Sequence, residues 1–209
     1  MPRLNPWSSM WFHPRKTIRS VVDSNPRYGV FFLSTIYILQ TFFVLFNFWS
    51  LGFKFSHYHL LIPSILAAPL LGMVWIGLYG RILQFVSRLF RGRAPRCHLQ
   101  AALAWSRLPM TLSLLLWGGL WLNDPNKLFI QYGPGTLTLL LHASLFILKL
   151  WTIILFIQAI REVQQFNLLK TIGTLFISWA IYSFIFLLTI LSIKILSIYL
   201  SSTSAIFFN

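Results

Sequence analysis

Acidic residues are nearly absent from this chain. Only Asp23, Asp124 and Glu162 occur among its 209 residues, against seventeen lysines and arginines. Each acid flanks a long apolar stretch, so a catalytic pair of carboxylates inside a membrane is excluded. Phosphoryl transfer is excluded as well, because the chain lacks both a glycine-rich phosphate loop and acids to hold magnesium. We therefore predict a protein that is not an enzyme.

Sulfur and metal ligands are equally scarce. Cys97 is the only cysteine, so the chain can form no internal disulfide. His57 and His59 are spaced to share a metal, but no acid or cysteine lies nearby, and we interpret them as ordinary loop histidines. His142 lies in an apolar stretch without the Gly-x-Ser-x-Gly sequence of a serine hydrolase. We predict no metal and no cofactor.

What the chain has in quantity is apolar length. Hydrophobic residues make up 57% of it, and five stretches contain no charged residue: Tyr28 to Phe53, Phe55 to Gly80, Leu108 to Asn123, Leu128 to Leu148 and Thr171 to Ile193. A helix needs about 20 mostly apolar residues to cross a hydrocarbon core about 30 Å thick. The sequence therefore predicts an all-α polytopic membrane protein. We place its five transmembrane helices near 28–51, 58–83, 101–122, 136–160 and 168–192.

Two of these spans have unusual ends. The third is free of charge for only 16 residues from Leu108, about 24 Å of helix, so we predict that it begins earlier and that Arg107 reaches back to the interface. The fourth follows the helix-breaking sequence Gly133-Pro134-Gly135. An alternative ends the fourth span at Lys149, which would leave only 136–148 to cross.

Basic residues are unevenly divided between the two sides of such a bundle. Thirteen of the seventeen lie in the N-terminal segment, in the second and fourth loops, or just beyond the second loop, whereas Lys54, Lys127 and Lys194 lie opposite. The positive-inside rule then places the N-terminus in the cytoplasm and the C-terminus outside. We predict a multi-pass protein of the inner (cytoplasmic) membrane whose basic side meets anionic lipid. No nucleic-acid partner is expected, because no soluble basic domain is present.

Residues 1–27 are predicted to form a cytoplasmic segment before the membrane domain, 28–200, and a short extracytoplasmic tail, 201–209. Asn5-Pro6 and His13-Pro14 are helix start signals. The two short helices that follow would each have an apolar face, made by Trp7, Met10 and Trp11 in the first and by Ile18, Val21 and Val22 in the second. Such faces are typical of helices in the membrane interface, so we predict that the segment docks on lipid.

Three separated segments carry recognisable motifs. They are Asn5 to Trp7 with Pro14 to Pro26, Ala102 to Pro109, and Trp151 with Glu162 to Phe166. Together these segments resemble bacterial membrane proteins of the Yip family, and the residues that carry the likeness are Asn5, Pro6, Trp7, Pro14, Asp23, Asn25, Pro26, Trp105, Ser106, Pro109, Trp151 and Glu162. The resemblance implies a five-pass helical membrane domain. Eukaryotic relatives bind Rab GTPases in vesicle traffic, a role that the bacterial-looking motifs do not imply here.

Lys149 is the one basic residue that the positive-inside rule does not explain. It falls near the middle of the fourth predicted span, where a lysine costs about 2.5–3.5 kcal/mol. His142 is seven residues earlier on the same helical face, and Gln40 is the best candidate for a hydrogen bond. Three alternatives remain. In the first, Lys149 is neutral and packs against Gln40 and carbonyls. In the second, its side chain snorkels to local water. In the third, it lines a path for an anionic ligand such as a lipid headgroup.

Two packing features are also predicted. Glu162 is expected to form an ion pair with Arg107 or Arg161 that fixes the turn after the fourth span. Ser64, Ala68 and Gly72 recur every four residues in the second span and predict a close contact between helices.

These observations support two hypotheses of function. The first is a non-enzymatic membrane-organising or trafficking-type scaffold that acts through its basic face and helix packing. The alternative is a small transporter, channel or lipid-moving protein that uses polar residues around Lys149. The expected partners are the lipid bilayer, with anionic lipids at the cytoplasmic face, and other membrane proteins or further copies of the chain. A polar cavity that reaches Lys149 would favour the alternative, whereas a dry, closed bundle would favour the scaffold.

Overall fold

The computed structural model describes residues 5–123, 128–130 and 136–207, and every regular element within them is helical. The α-helices of these ranges are α1 (Pro6–Ser9), α2 (Pro14–Ser24), α3 (Val30–Phe48), α4 (His57–Leu89), α5 (Arg96–Ser106), α6 (Leu108–Asn123), α7 (Thr136–Gln164) and α8 (Leu168–Phe207). A 3₁₀ turn at Leu51–Phe53 joins α3 to α4. The predicted all-α class is confirmed.

The long helices run up and down between two ends of a bundle. At one end, which we call the N-terminal end, α2 packs against α5 and α7. At the opposite end, which we call the far end, the amide of Gly52 donates a 3.1 Å hydrogen bond to the carbonyl oxygen of Phe129. The cavity described below lies between these two ends.

Four helices are long and apolar enough to cross a bilayer: Val30–Phe48, His57–Leu89, Leu139–Gln164 and Leu168–Ser192. They correspond to four of the five predicted spans. Because α7 runs unbroken through Lys149 to Gln164, the alternative that ended the fourth span at Lys149 is wrong. The predicted tail, 201–209, is helical as far as Phe207. Lys127 and the Gly133-Pro134-Gly135 sequence lie outside the described residues.

The predicted third span, 101–122, is not one helix. The chain turns at Arg107, where φ is −82° and ψ is 0°, between the end of α5 and the start of α6. Pro109 favours the break, because it has no amide hydrogen to donate to the carbonyl oxygen of Trp105 one turn earlier. The prediction of a continuous helix is therefore wrong, and α6 alone has 16 residues, about 24 Å of helix.

The N-terminal helices dock on protein. They begin at the predicted start signals, but Ile18 and Val21 of α2 are buried against the bundle, and Met10 beside them is fully buried. These buried residues contact protein, whereas Trp7, Trp11 and Val22 are only partly buried, and docking of the segment on lipid stays a prediction. An amphipathic face packs equally well on an apolar protein surface, and here α5 and α7 provide that surface. The side of α2 that stays exposed is basic and includes Arg15 and Arg19.

The most extensive helix contact in the described chain joins α3 and α4. Ser64, Ala68 and Gly72 are all buried on α4. At Gly72 the two helices approach so closely that an added Cβ would lie 3.0 Å from the carbonyl carbon and oxygen of Ser34. The small-residue stripe thus allows the backbone contact that the sequence predicts.

Candidate functional site

A cavity of about 770 Å³ lies inside the bundle, bordered by α3, α4, α7, α8 and the α5–α6 junction. Most of its wall is aliphatic or aromatic. Its charged side chains are Arg107 and Lys149, and no Asp or Glu is among the described residues that line it. A ligand inside this cavity therefore meets apolar walls and two positive groups.

Arg107 occupies the turn between α5 and α6, and aromatic rings surround its guanidinium group. The guanidinium carbon lies 4.7 Å from the ring centre of Tyr37, 5.7 Å from that of Trp75 and 5.6 Å from that of Phe156. Such cation–π contacts stabilise the positive charge where water is scarce. They leave hydrogen-bonding capacity unused, since the buried Nε of Arg107 has no partner in the described chain.

Lys149 lines the same cavity from α7, and the buried side chain of Gln40 lines it from α3. These two residues were selected from the sequence as part of one polar site. His142, the third, is exposed on α7 and does not line the cavity. Two turns of helix separate it from Lys149, and its side chain falls outside the space that Lys149 borders.

The two cations lie at different depths in the bundle. Arg107 is level with Phe156, which follows Lys149 on α7 by seven residues, or about 10 Å along the helix axis. The end of α7 at Gln164 is eight residues beyond Phe156, about another 12 Å. Arg107 is thus the cation nearer the N-terminal end, and Lys149 is near the middle of α7.

We infer that the cavity opens between α3 and α8. These helices have little direct contact with each other, because α8 packs mainly on α4. Phe176, Trp179 and Phe186 of α8 border the cavity, yet 67%, 60% and 55% of their surfaces stay exposed. Since α3 and α8 are both apolar enough to span a bilayer, this opening faces the region that lipid chains would occupy.

The far end of the bundle is closed by aromatic packing. Phe129 contacts Phe43 and Phe46, each with ring centres 5.3 Å away, and Trp117 at 6.2 Å. We call these four residues the far-end cluster. On α6 and α7 the residues of this hydrophobic core lie closer to the far end than those lining the cavity. On α3 the two sets overlap, because Val44 belongs to both, so the far-end cluster borders the cavity directly.

Glu162 forms its ion pairs with α2. One carboxylate oxygen lies 2.8 Å from Nη1 of Arg19, and the other lies 3.3 Å from Nε of Arg15. This hydrogen bond and the negative charge of Glu162 raise the pKa of the Arg19 guanidinium. The predicted pairing with Arg107 or Arg161 is corrected, because α2 docks beside the end of α7 and brings its own arginines to the carboxylate.

The three motif segments meet at the N-terminal end. Trp105 is fully buried, and its ring centre is 5.0 Å from that of Trp7. Its indole Nε1–H donates a 3.0 Å hydrogen bond to the carbonyl oxygen of Tyr28. The ion pairs of Glu162 complete the contact between the motif segments. Trp151, in contrast, is exposed on α7 and takes no part in this assembly.

Sequence reasoning missed the aromatic residues that surround Arg107. Tyr37, Trp75 and Phe156 lie in apolar spans, in a chain that is 17% aromatic. No spacing distinguishes them from aromatic residues that pack in the core or face lipid. The turn at Pro109 was the available signal, because a broken helix directs a neighbouring side chain away from the regular helical positions.

The fold and the cavity define a helical, multi-pass membrane protein. The profile of the Yip1 domain matches residues 7–191, so the chain belongs to the Yip1 domain family. The family resemblance found in the sequence is confirmed, and its bacterial character stays a prediction. No curated protein and no solved structure matches the chain.

Glu162→Gln is expected to loosen α2 from the bundle. The amide keeps the shape of the side chain but removes the negative charge that Arg15 and Arg19 share. We expect the melting temperature in detergent to fall by about 1–3 °C, since partly exposed ion pairs contribute little, and trypsin to cut faster after the two arginines. Asp23→Asn, which removes an exposed acid from α2 itself, is the control. Equal cleavage rates in the two variants would contradict the prediction.

Proposed function

We propose that this Yip1 domain protein is not an enzyme and that it binds an anionic lipid in the cavity between α3, α7 and α8. The observation that carries the proposal is the presence of two cations, Arg107 and Lys149, in a cavity whose described lining contains no acid. A charge inside a membrane protein is costly without a partner of opposite sign. A ligand phosphate group would supply that partner and would accept the unused hydrogen bonds of the guanidinium.

The walls and the opening favour a lipid over a water-soluble anion. Aliphatic and aromatic side chains suit acyl chains, and the opening between α3 and α8 would let those chains remain in the bilayer while the headgroup enters. Free phosphate is also an anion, but it gains nothing from these surfaces. The cavity reaches Lys149, but its walls are mostly apolar and not polar as the alternative predicted, so it supports the lipid-moving form of that alternative.

The membrane-organising or trafficking-type scaffold remains a second candidate, with a different observation in its favour. Arg15 and Arg19 stay partly exposed on α2 beside a single shared acid, and Lys16 is exposed next to them. This basic side could meet anionic headgroups, other membrane proteins or further copies of the chain. It does not account for the two cations that line the cavity, of which Lys149 is exposed and Arg107 is half-buried.

We also propose a topology. The twelve basic residues of the N-terminal segment and of the second and fourth loops support a cytoplasmic N-terminal end in an inner membrane. A fifth crossing would be made by α6, whose 16 residues extend about 24 Å, with α5 embedded beneath α2. This arrangement would put the C-terminus outside and the far-end cluster toward the outer face.

Removing either cation is expected to weaken lipid binding at least about tenfold, because a charge-assisted hydrogen bond contributes about 1.5–3 kcal/mol. The variants are Lys149→Gln and Arg107→Gln, with Lys170→Gln and Arg88→Gln as matched controls at exposed positions outside the cavity. Native mass spectrometry of the detergent-purified chain would measure bound phosphatidylglycerol against phosphatidylcholine. Competition with inorganic phosphate would test whether the anion alone suffices.

Two outcomes would overturn the proposal. One is equal binding of phosphatidylglycerol and phosphatidylcholine by the unmodified chain. The other is equal phosphatidylglycerol binding by the cavity variants and their controls. Complete displacement by dilute inorganic phosphate would instead identify a soluble anion as the ligand.

A further inference from the structure

From the different depths of Arg107 and Lys149 we infer that the protein moves anionic lipid headgroups toward the middle of the bilayer, and so speeds their passage between leaflets. This inference rests on the proposed lipid binding. The inference adds that the headgroup moves away from the N-terminal end. It also adds that the far-end cluster must open before the headgroup can reach the other leaflet.

The spacing of the cations is the first support. Their levels differ by seven residues of α7, about 10 Å along the axis. A site built only to hold a phosphate would place its donors around one point. Here the second positive charge lies deeper than the first, at the depth where an anionic headgroup is least stable in lipid.

The two cations also differ in mobility. The guanidinium of Arg107 is held between Tyr37, Trp75 and Phe156. Lys149 has no hydrogen bond or ion pair to any described residue, and its flexible four-carbon stem lets the ammonium group follow a ligand. Arg107 would receive the headgroup nearer the N-terminal end, and Lys149 would accompany it inward.

The open side of the cavity allows this movement without burying the lipid chains. On α8 the cavity extends from Ile172 to Phe186, which is about 21 Å of helix. A headgroup could travel along this wall while its chains stay between α3 and α8 in the surrounding lipid. No bond is made or broken, so the step needs no energy source when lipids move toward equilibrium.

The far-end cluster is the obstacle to further travel. Phe43 contacts both Trp117, at 6.2 Å between ring centres, and Phe129. The segment that carries Phe129 is fastened by the Gly52 amide and by the Asn47 side chain, which donates a 3.3 Å hydrogen bond to the carbonyl oxygen of Ile130. Opening of this cluster would be the slow step, so a smaller side chain at 43 should speed transfer.

The test uses the full chain in vesicles of phosphatidylcholine with a minor fraction of phosphatidylglycerol. A trace of either lipid carries a fluorescent group on one acyl chain, and dithionite added outside quenches only the outer leaflet. We expect the unmodified protein to speed quenching of the inner phosphatidylglycerol pool relative to protein-free vesicles. Phosphatidylcholine should respond much less. Lys149→Gln should slow transfer roughly tenfold, and Lys170→Gln should leave it unchanged.

A second variant tests the obstacle directly. Phe43→Ala should accelerate phosphatidylglycerol transfer above that of the unmodified protein, and Phe43→Leu provides a milder change if alanine prevents folding. If phosphatidylglycerol binds through Arg107 and Lys149 but is not transferred faster than in protein-free vesicles, the inference fails and the proposed binding stands. Equal transfer of both lipids, unaffected by Lys149→Gln, would also overturn it. Loss of both binding and transfer would remove both proposals.

Discussion

Trp105→Ala is expected to destabilise the N-terminal end by about 3–5 kcal/mol, the range for removing a buried tryptophan. The side chain is fully buried, and its ring lies between Trp7, 5.0 Å away, and Tyr28, 6.0 Å away. Alanine also removes the donor to the Tyr28 carbonyl. A cavity would remain, because Gly29 has no side chain with which to fill the space beside the ring.

The expected result is a lower melting temperature together with early release of the N-terminal helices. Thermal unfolding in detergent measures the first, and trypsin cleavage after Arg19 measures the second. Trp151→Ala is the matched control, since this tryptophan is exposed on α7. If both alanine variants melted at the same temperature, Trp105 would not fasten the motif segments together.

The helices could largely be predicted because their signals are local. Asn5-Pro6 and His13-Pro14 mark the starts of α1 and α2, and charge-free length marks α3, α4, α7 and α8. What covers an apolar helix face is not a local property. Trp7 and Met10 would suit the membrane interface equally well, and only the bundle shows that Trp7 contacts Trp105 of α5 and Phe32 of α3 and that Met10 is fully buried.

The site could be predicted only where a residue was conspicuous by its charge. Lys149 could be selected because it is a charged residue near the middle of a predicted span. Gln40 could be selected because it is polar within an apolar span. Sequence reasoning pairs opposite charges first, and it therefore predicts an ion pair of Glu162 with Arg107 or Arg161. The three-dimensional arrangement gives that acid to α2 and gives Arg107 aromatic neighbours. Neither arrangement follows from spacing along the chain.

Gly72→Ile is expected to disrupt the contact between α3 and α4 by about 3 kcal/mol, at the upper end for overpacking. An added Cβ would lie 3.0 Å from the carbonyl carbon and oxygen of Ser34 and from the amide nitrogen of Thr35. These are backbone atoms of a helix, so they cannot rotate away as a flexible side chain would. Isoleucine adds two further branches at the same point and forces the helices apart.

Separating α3 from α4 would also displace Tyr37 from Trp75, whose ring centres are 4.4 Å apart in the wall around Arg107. Gly72→Ile should therefore lower both the melting temperature and the binding of phosphatidylglycerol. Gly119→Ile supplies the control, because a Cβ there meets nothing within 4 Å. Thermal unfolding and lipid binding by native mass spectrometry compare the two variants. A Gly72→Ile protein that melts and binds like the Gly119→Ile protein would show that α3 and α4 do not need this close approach.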